Sequence, residues 1–250
     1  MADPPFLEKP RQMALDNRRS RADKLEGLKV AEKPAKEGRV SMHQFRKAAG
    51  FVAFMTIVSI GLWNTGCRDR TPRLQPLPSG AVILAFGDSL TAGTGAPRGA
   101  GYPAKLEQLT GWRTINAGVP GEISAEGLQR LPGLLRRYHP DLVVLCHGGN
   151  DLLRRTTGST TANHLAAMIE MIRRSGAQVV LLSVPEPGIL LRPADFYEKI
   201  AVKYQVPLEN KILTRILRDN SLKSDLIHPN AEGYQRLAEA VAAMLKRNGA

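Results

Sequence analysis

The chain has 250 residues, 43% of them hydrophobic and 23% charged, with a formal net charge of +12. Its two cysteines, Cys67 and Cys146, are too few for a disulfide framework. Aromatic residues make up only 5% and no nucleic-acid-binding motif is present, so the basic balance does not point to a nucleic-acid partner.

Residues 1–47 are rich in charge, poor in aromatics and without apolar periodicity, the composition of a leader that does not fold alone. Residues 48–66 then carry no charge and come directly after Arg46-Lys47, which marks a membrane-directed segment. Its apolar core falls short of the roughly 20 residues a span requires. Read from Met42, the segment has the form of a secretory signal, a basic start and an apolar run ending in small residues. On that reading Met42 is the true start and residues 1–41 are a mis-assigned leader. The end, Asn64-Thr65-Gly66-Cys67, resembles a bacterial lipobox, with Cys67 as the lipidated residue, although Asn64 stands where an aliphatic residue is usual. An uncleaved membrane anchor is the alternative. Either route carries the remainder of the chain into the cell envelope, as a periplasmic or extracytoplasmic, membrane-associated protein. Residues 68–79, with Pro72, Pro76 and Pro78, read as an extended tether. Of the net charge, +5 lies in residues 1–67, +2 in 68–79 and +5 in 80–250, and the basic leading part favours an anionic lipid surface.

From residue 80 to the end the pattern alternates strand and helix. Apolar runs at 81–86, 113–117, 142–147 and 178–184 predict strands, with a weak fifth at 206–208. Helices are predicted near 102–110, 124–137, 161–174, 195–204 and 230–247, the last with Tyr234, Leu237, Ala238, Val241 and Leu245 on one face. This order predicts a single three-layer α/β/α sandwich around a parallel sheet of about five strands, flavodoxin-like in architecture. The stretch 185–193 reads as irregular and apolar.

The first strand feeds directly into Gly87-Asp88-Ser89-Leu90, which lifts a hydroxyl to the carboxyl edge of the sheet, where open α/β folds keep their sites. A serine hydroxyl is a weak nucleophile unless a base removes its proton and a third group orients that base. In Asp225-Leu226-Ile227-His228 the acid and the imidazole are three residues apart, so both can lie on one side of the backbone. The structural alternative is that Asp225 caps the helix beginning near residue 230, with His228 on the surface. The third strand opens into Gly148-Gly149-Asn150-Asp151, which brings a side-chain amide to the same edge, and Asn116 to Glu122 can bring the Gly121 backbone N–H there.

These four blocks, in this order, resemble the SGNH or GDSL hydrolases, most closely the small bacterial arylesterase, thioesterase and lysophospholipase branch. The resemblance runs from about Ala81 to Leu245. It implies Ser89 as nucleophile, His228 as base and then acid, and Asp225 as its orienting carboxylate. It also implies that the Ser89 N–H, the Gly121 N–H and the Asn150 amide form the oxyanion hole. In the related thioesterases and lysophospholipases, the region after the fourth strand helps cover the acyl chain. Ile189, Leu190 and Leu191 are therefore the candidate acyl-binding residues. The expected reaction is hydrolysis of a carboxylic ester or thioester through an acyl-enzyme, on a small acyl ester, thioester or lipid, by a monomer without cofactor or metal. The alternatives are a carbohydrate O-acetylesterase acting on envelope polysaccharide and a non-catalytic envelope binding module.

Among the remaining polar residues, Asp88 and Asp151 read as local braces of their turns, His147 as a packed strand-end residue, and Cys146 as a small core residue. His43, His139 and His164 show no partner pattern. Gly93 to Gly99 has the wrong spacing and position for a dinucleotide loop, and neither Gly-x-Ser-x-Gly nor a P-loop is present.

Overall fold

In the computed structural model the described residues are 72–188 and 190–250. The leader, the apolar segment with Cys67, His43 and the start of the tether lie outside them, as does Ile189. Among the described residues no helix is long and apolar enough to cross a membrane.

The first apolar run forms β1, Val82–Gly87, and its last five residues are buried. It is covered on both faces and paired on both edges, which is why it is a continuous hydrophobic run and not an alternating one. β1 pairs in parallel with β2, Arg113–Gly118, and with β3, Leu142–Cys146, so that Leu84 lies between Ile115 and Val143. β4, Gln178–Leu182, joins β3, and the two-residue β7, Leu208–Glu209, completes the edge. The strand order β2-β1-β3-β4-β7 reverses direction between β1 and β3, and a crevice opens above that reversal.

On one side of the sheet α2, Tyr102–Thr110, packs against α8, Ala231–Asn248. On the other, α3, Ser124–Tyr138, packs on α5, Gly158–Arg174, which packs on α6, Asp195–Tyr204. The apolar stripe expected on α8 is buried, and Asn230 caps the helix by accepting from the Gly233 N–H at 2.9 Å. Tyr102, Tyr197 and Tyr234 are among the largest fully buried side chains. Each presents its ring to the core and its hydroxyl to a segment that follows a strand: Tyr102 meets Thr91 Oγ1 in the one-turn helix after β1 at 3.4 Å, Tyr234 donates to the Thr94 carbonyl at 2.8 Å, and Tyr197 to the His147 carbonyl at 2.7 Å.

The structure departs from the sequence expectation in several places. Two one-turn helices follow strands, α1 (Ser89–Ala92) and α4 (Gly149–Leu153), and α7 (Ile212–Arg218) lies where no element was predicted. α5 begins at Gly158, three residues before expectation, because the Thr157 hydroxyl accepts from the Thr160 N–H. The stretch 185–193 contains a small antiparallel pair, β5 (Pro185–Glu186) with β6 (Arg192–Pro193), clasped by an Arg192–Glu186 ion pair at 2.9 Å. Within the expected tether, Leu74 is buried in the core and donates its N–H to the Asn248 carbonyl at 2.7 Å. Gln75 exchanges backbone hydrogen bonds with the Gln178 side chain, so the chain is already bound to the domain at these positions.

Candidate active site

Ser89 opens α1 immediately beyond β1. A Cβ on Gly87 would sit 2.0 Å from the Cys146 carbonyl oxygen and 2.4 Å from Thr91 Oγ1, so only glycine lets the strand turn this tightly beside the end of β3. Asp88 braces the turn by accepting from the Leu90 N–H at 3.0 Å, and burial pushes its carboxyl up.

His228 approaches from a loop 139 residues later, with Nε2 at 3.0 Å from Ser89 Oγ. Its Nδ1 lies 2.7 Å from Asp225 Oδ2, while Asp225 Oδ1 accepts from the Ile227 and His228 N–H groups at 2.8 Å each. Partial burial works against the Asp225 carboxylate, but the bond from the His228 ring and the two backbone bonds outweigh it and hold the group below its ordinary value. An ionised Asp225 requires the ring proton on Nδ1, which leaves the Nε2 lone pair facing the serine hydroxyl. Asp225 therefore caps its own loop, and Asn230 caps the helix. Gly95, at φ +93°, gives this loop its room: a Cβ there would lie 2.1 Å from Ser224 Oγ and 3.1 Å from His228 Cβ.

Asn150 lies in α4 and donates one amide hydrogen to the Glu122 carbonyl at 3.0 Å, leaving the second free for another acceptor. Gly121 adopts φ +79°, a conformation that favours glycine. The Ser89 N–H is among the first of α1, where no preceding turn supplies an acceptor. Ser89, Gly121, Asn150 and His228 together line one cavity of about 280 Å³. Leu153, Val184, Leu191, Leu217, Leu226 and Ile227 form much of its apolar wall. Among the described residues no group of three or more His, Cys, Asp or Glu side chains could hold a metal ion.

Residues 85–236 match the GDSL-like Lipase/Acylhydrolase family. An arylesterase from Vibrio mimicus is 33% identical over 177 residues, covering 66% of this chain and 88% of that protein. The thioesterase 1/protease 1/lysophospholipase L1 of Escherichia coli is 30% identical over 173 residues, covering 66% and 83%. The crystal structure of TesA superposes with a TM-score of 0.62 at 31% identity, over 66% of this chain and 98% of that one. The chain belongs to the GDSL-like lipase/acylhydrolase family.

As a member of that family it is a hydrolase of ester bonds. Its parallel five-stranded sheet flanked by helices is the fold of its solved relatives. The acyl-binding expectation needs correction at one position. Leu190 is 82% exposed and does not line the cavity, because the β5–β6 hairpin carries it outward, whereas Leu191 does line it. Ile189 lies outside the described residues. Sequence reasoning missed Leu153, Leu217, Leu226 and Ile227. The signal for two of them was available, since Leu226 and Ile227 are large apolar residues on the very loop that carries Asp225 and His228.

Two further expectations change. Asp151 is not a local brace: it is buried and accepts from the Ser124 N–H at 2.8 Å and from the Ser124 hydroxyl, joining α4 to α3. His164 does have a partner, with Nδ1 at 2.8 Å from that same Ser124 hydroxyl. His147 and Cys146 are fully buried, as expected for packed residues.

Proposed function

We propose that this GDSL-family hydrolase is a serine esterase that cleaves carboxylic esters or thioesters of apolar acyl groups through an acyl-enzyme. The observation that carries the reading is the Asp225–His228–Ser89 hydrogen-bonded chain, which opens into an apolar cavity. Ser89 Oγ attacks the acyl carbonyl carbon while its proton passes to His228 Nε2. The carbonyl oxygen, now negative, takes hydrogen bonds from the Ser89 N–H, the Gly121 N–H and the free hydrogen of the Asn150 amide. As the carbonyl re-forms, His228 returns the proton to the departing alcohol or thiol. Water, deprotonated by the same nitrogen, then attacks the acyl-serine; His228 passes that proton to the departing Ser89 Oγ, and the acid is released. Asp225 keeps the ring in the right tautomer throughout.

A cavity of about 280 Å³ with apolar walls suits an acyl chain longer than acetyl. A single water needs about 10–15 Å³ of such space, and an acetyl group would leave most of the cavity open. Size and lining therefore favour a lipid-type acyl substrate over polysaccharide deacetylation. The test is hydrolysis of p-nitrophenyl esters from acetate to palmitate by the full chain, with Ser89→Ala alongside. The optimum is expected above acetate, and Ser89→Ala should lower turnover by more than about 10³-fold. Activity that survives this substitution would overturn the serine mechanism.

A further inference from the structure

We propose that Glu122, clamped by Arg130 and His147, is a positioning residue for the oxyanion hole and acts through Asn150 and Gly121. The inference rests on the serine-esterase reading above.

Glu122 directly succeeds Gly121 in the chain, and its own carbonyl accepts the Asn150 amide at 3.0 Å. Two of the three proposed donors are therefore tied to the placement of one residue. Two elements fix that placement through the Glu122 side chain, which is buried, and a third holds Arg130. From α3, Arg130 grips the carboxylate in a fork, Nε to Oε1 at 2.7 Å and Nη2 to Oε2 at 2.6 Å, and its Nη2 also donates to the Ala117 carbonyl in β2 at 3.0 Å. From the end of β3, His147 Nε2 lies 3.0 Å from Oε2. The Gly148 N–H donates to His147 Nδ1 at 3.1 Å, so the proton sits on Nε2 and the ring is a donor to the carboxylate. A Cβ on Gly127 of α3 would come 2.4 Å from His147 Nε2, so the helix leaves space for this contact. Burial works against the carboxylate, but the bonds from His147 and Arg130 and the Arg130 charge outweigh it and hold the group at about 2.

Stability alone gives little reason for such an arrangement. The desolvation of a buried ion pair offsets most of its attraction, and apolar residues of similar volume often serve as well or better. The network instead immobilises the 121–122 backbone and, through the Glu122 carbonyl, the plane of the Asn150 amide. A donor preorganised in this way needs no rearrangement when the oxyanion forms.

The test is a double-mutant cycle on the full chain, read as kcat and KM, together with NMR of the Asn150 side-chain amide. Glu122→Gln should lower kcat by about 30-fold, within the range that small misplacements of a reacting group produce, and leave KM within about twofold. Asn150→Ala should lower kcat by about 10²–10³-fold. Adding Glu122→Gln to Asn150→Ala should cost clearly less than about 30-fold more, because one of the two donors that Glu122 positions is then gone. Arg130→Lys keeps a cation but loses the fork, and should give a smaller loss of the same kind. It serves as the second variant if Glu122→Gln folds poorly. The Asn150 amide hydrogen bonded to the Glu122 carbonyl should exchange slowly in the parent and faster in Glu122→Gln. Full additivity in the cycle, or an unchanged amide signal in Glu122→Gln, would overturn the proposal. The NMR measurement does not depend on turnover, so an inactive parent would count against the esterase reading and leave this inference to the amide signal.

Discussion

The two halves of the site are held in opposite ways. The serine half is built on the buried reversal of the sheet: Gly87 abuts the end of β3, and Asp88, His147 and Asp151, within or beside the one-turn helices that carry Ser89 and Asn150, are buried. The histidine half is a surface loop. Asp225 is 51% exposed, and both backbone bonds that fix its carboxylate come from residues two and three positions ahead. Ser89, Gly121 and Asn150 are thus placed by the packing of the whole domain, while His228 is oriented by four consecutive residues. Fixed dipoles need a rigid frame, whereas a proton carrier needs only the right tautomer and a short reach.

The comparison can be broken most severely at Asp225. Asp225→Asn should lower kcat by about 10³-fold or more, because the amide no longer enforces the Nδ1–H tautomer. The melting temperature should stay nearly unchanged, since the loop is exposed. A large loss of stability would show that the loop is not a self-contained unit. Acidification probes the same half. A protonated His228 has no lone pair for the Ser89 hydroxyl, so kcat/KM should fall about tenfold per pH unit on the acid limb. Asp225 is held below its ordinary range by the bonds from the His228 ring and the two backbone N–H groups, and keeps its charge on mild acidification. The limb should therefore have unit slope in a plot of log kcat/KM against pH, and a slope of two would mean that both groups take up protons together.

Gly95→Ala tests the seam between the halves. The added Cβ would meet Ser224, the Pro229 carbonyl and His228 at a residue with φ +93°. It should lower kcat by roughly tenfold and stability by about 1–3 kcal/mol, read by parallel kinetics and thermal unfolding. The smallest effect is expected at Leu226, which lines the cavity yet is 83% exposed. Leu226→Ser should reduce kcat/KM for long-chain esters by about three- to tenfold and leave acetate hydrolysis and stability within error. Equal losses on acetate and palmitate would remove Leu226 from the acyl wall.

The legibility of the site in the sequence divides along the same line. The Asp225–His228 pair could be read from spacing because its bonds are local, and the Gly87-Asp88-Ser89 turn because a buried strand must end before it. Leu190 was misplaced because the β5–β6 pair, two residues on each side, has too short a pattern to register as strands. Asp151 was misread because its partner Ser124 is 27 residues away. Glu122 was missed for the same reason: in the sequence it is one carboxylate after a glycine, and only folding brings Arg130 and His147 to it.

By itself, the sequence determined the alternation of buried strands and amphipathic helices, the strand-end turns and the Asp225–His228 pair, because each depends on residues within one element or one turn. The tertiary structure alone decided the 139-residue bridge from His228 to Ser89, the hydrogen bond from Asn150 to the Glu122 carbonyl and the apolar lining of the cavity. Those contacts join segments far apart in the chain, and the strand order β2-β1-β3-β4-β7 sets which segments meet.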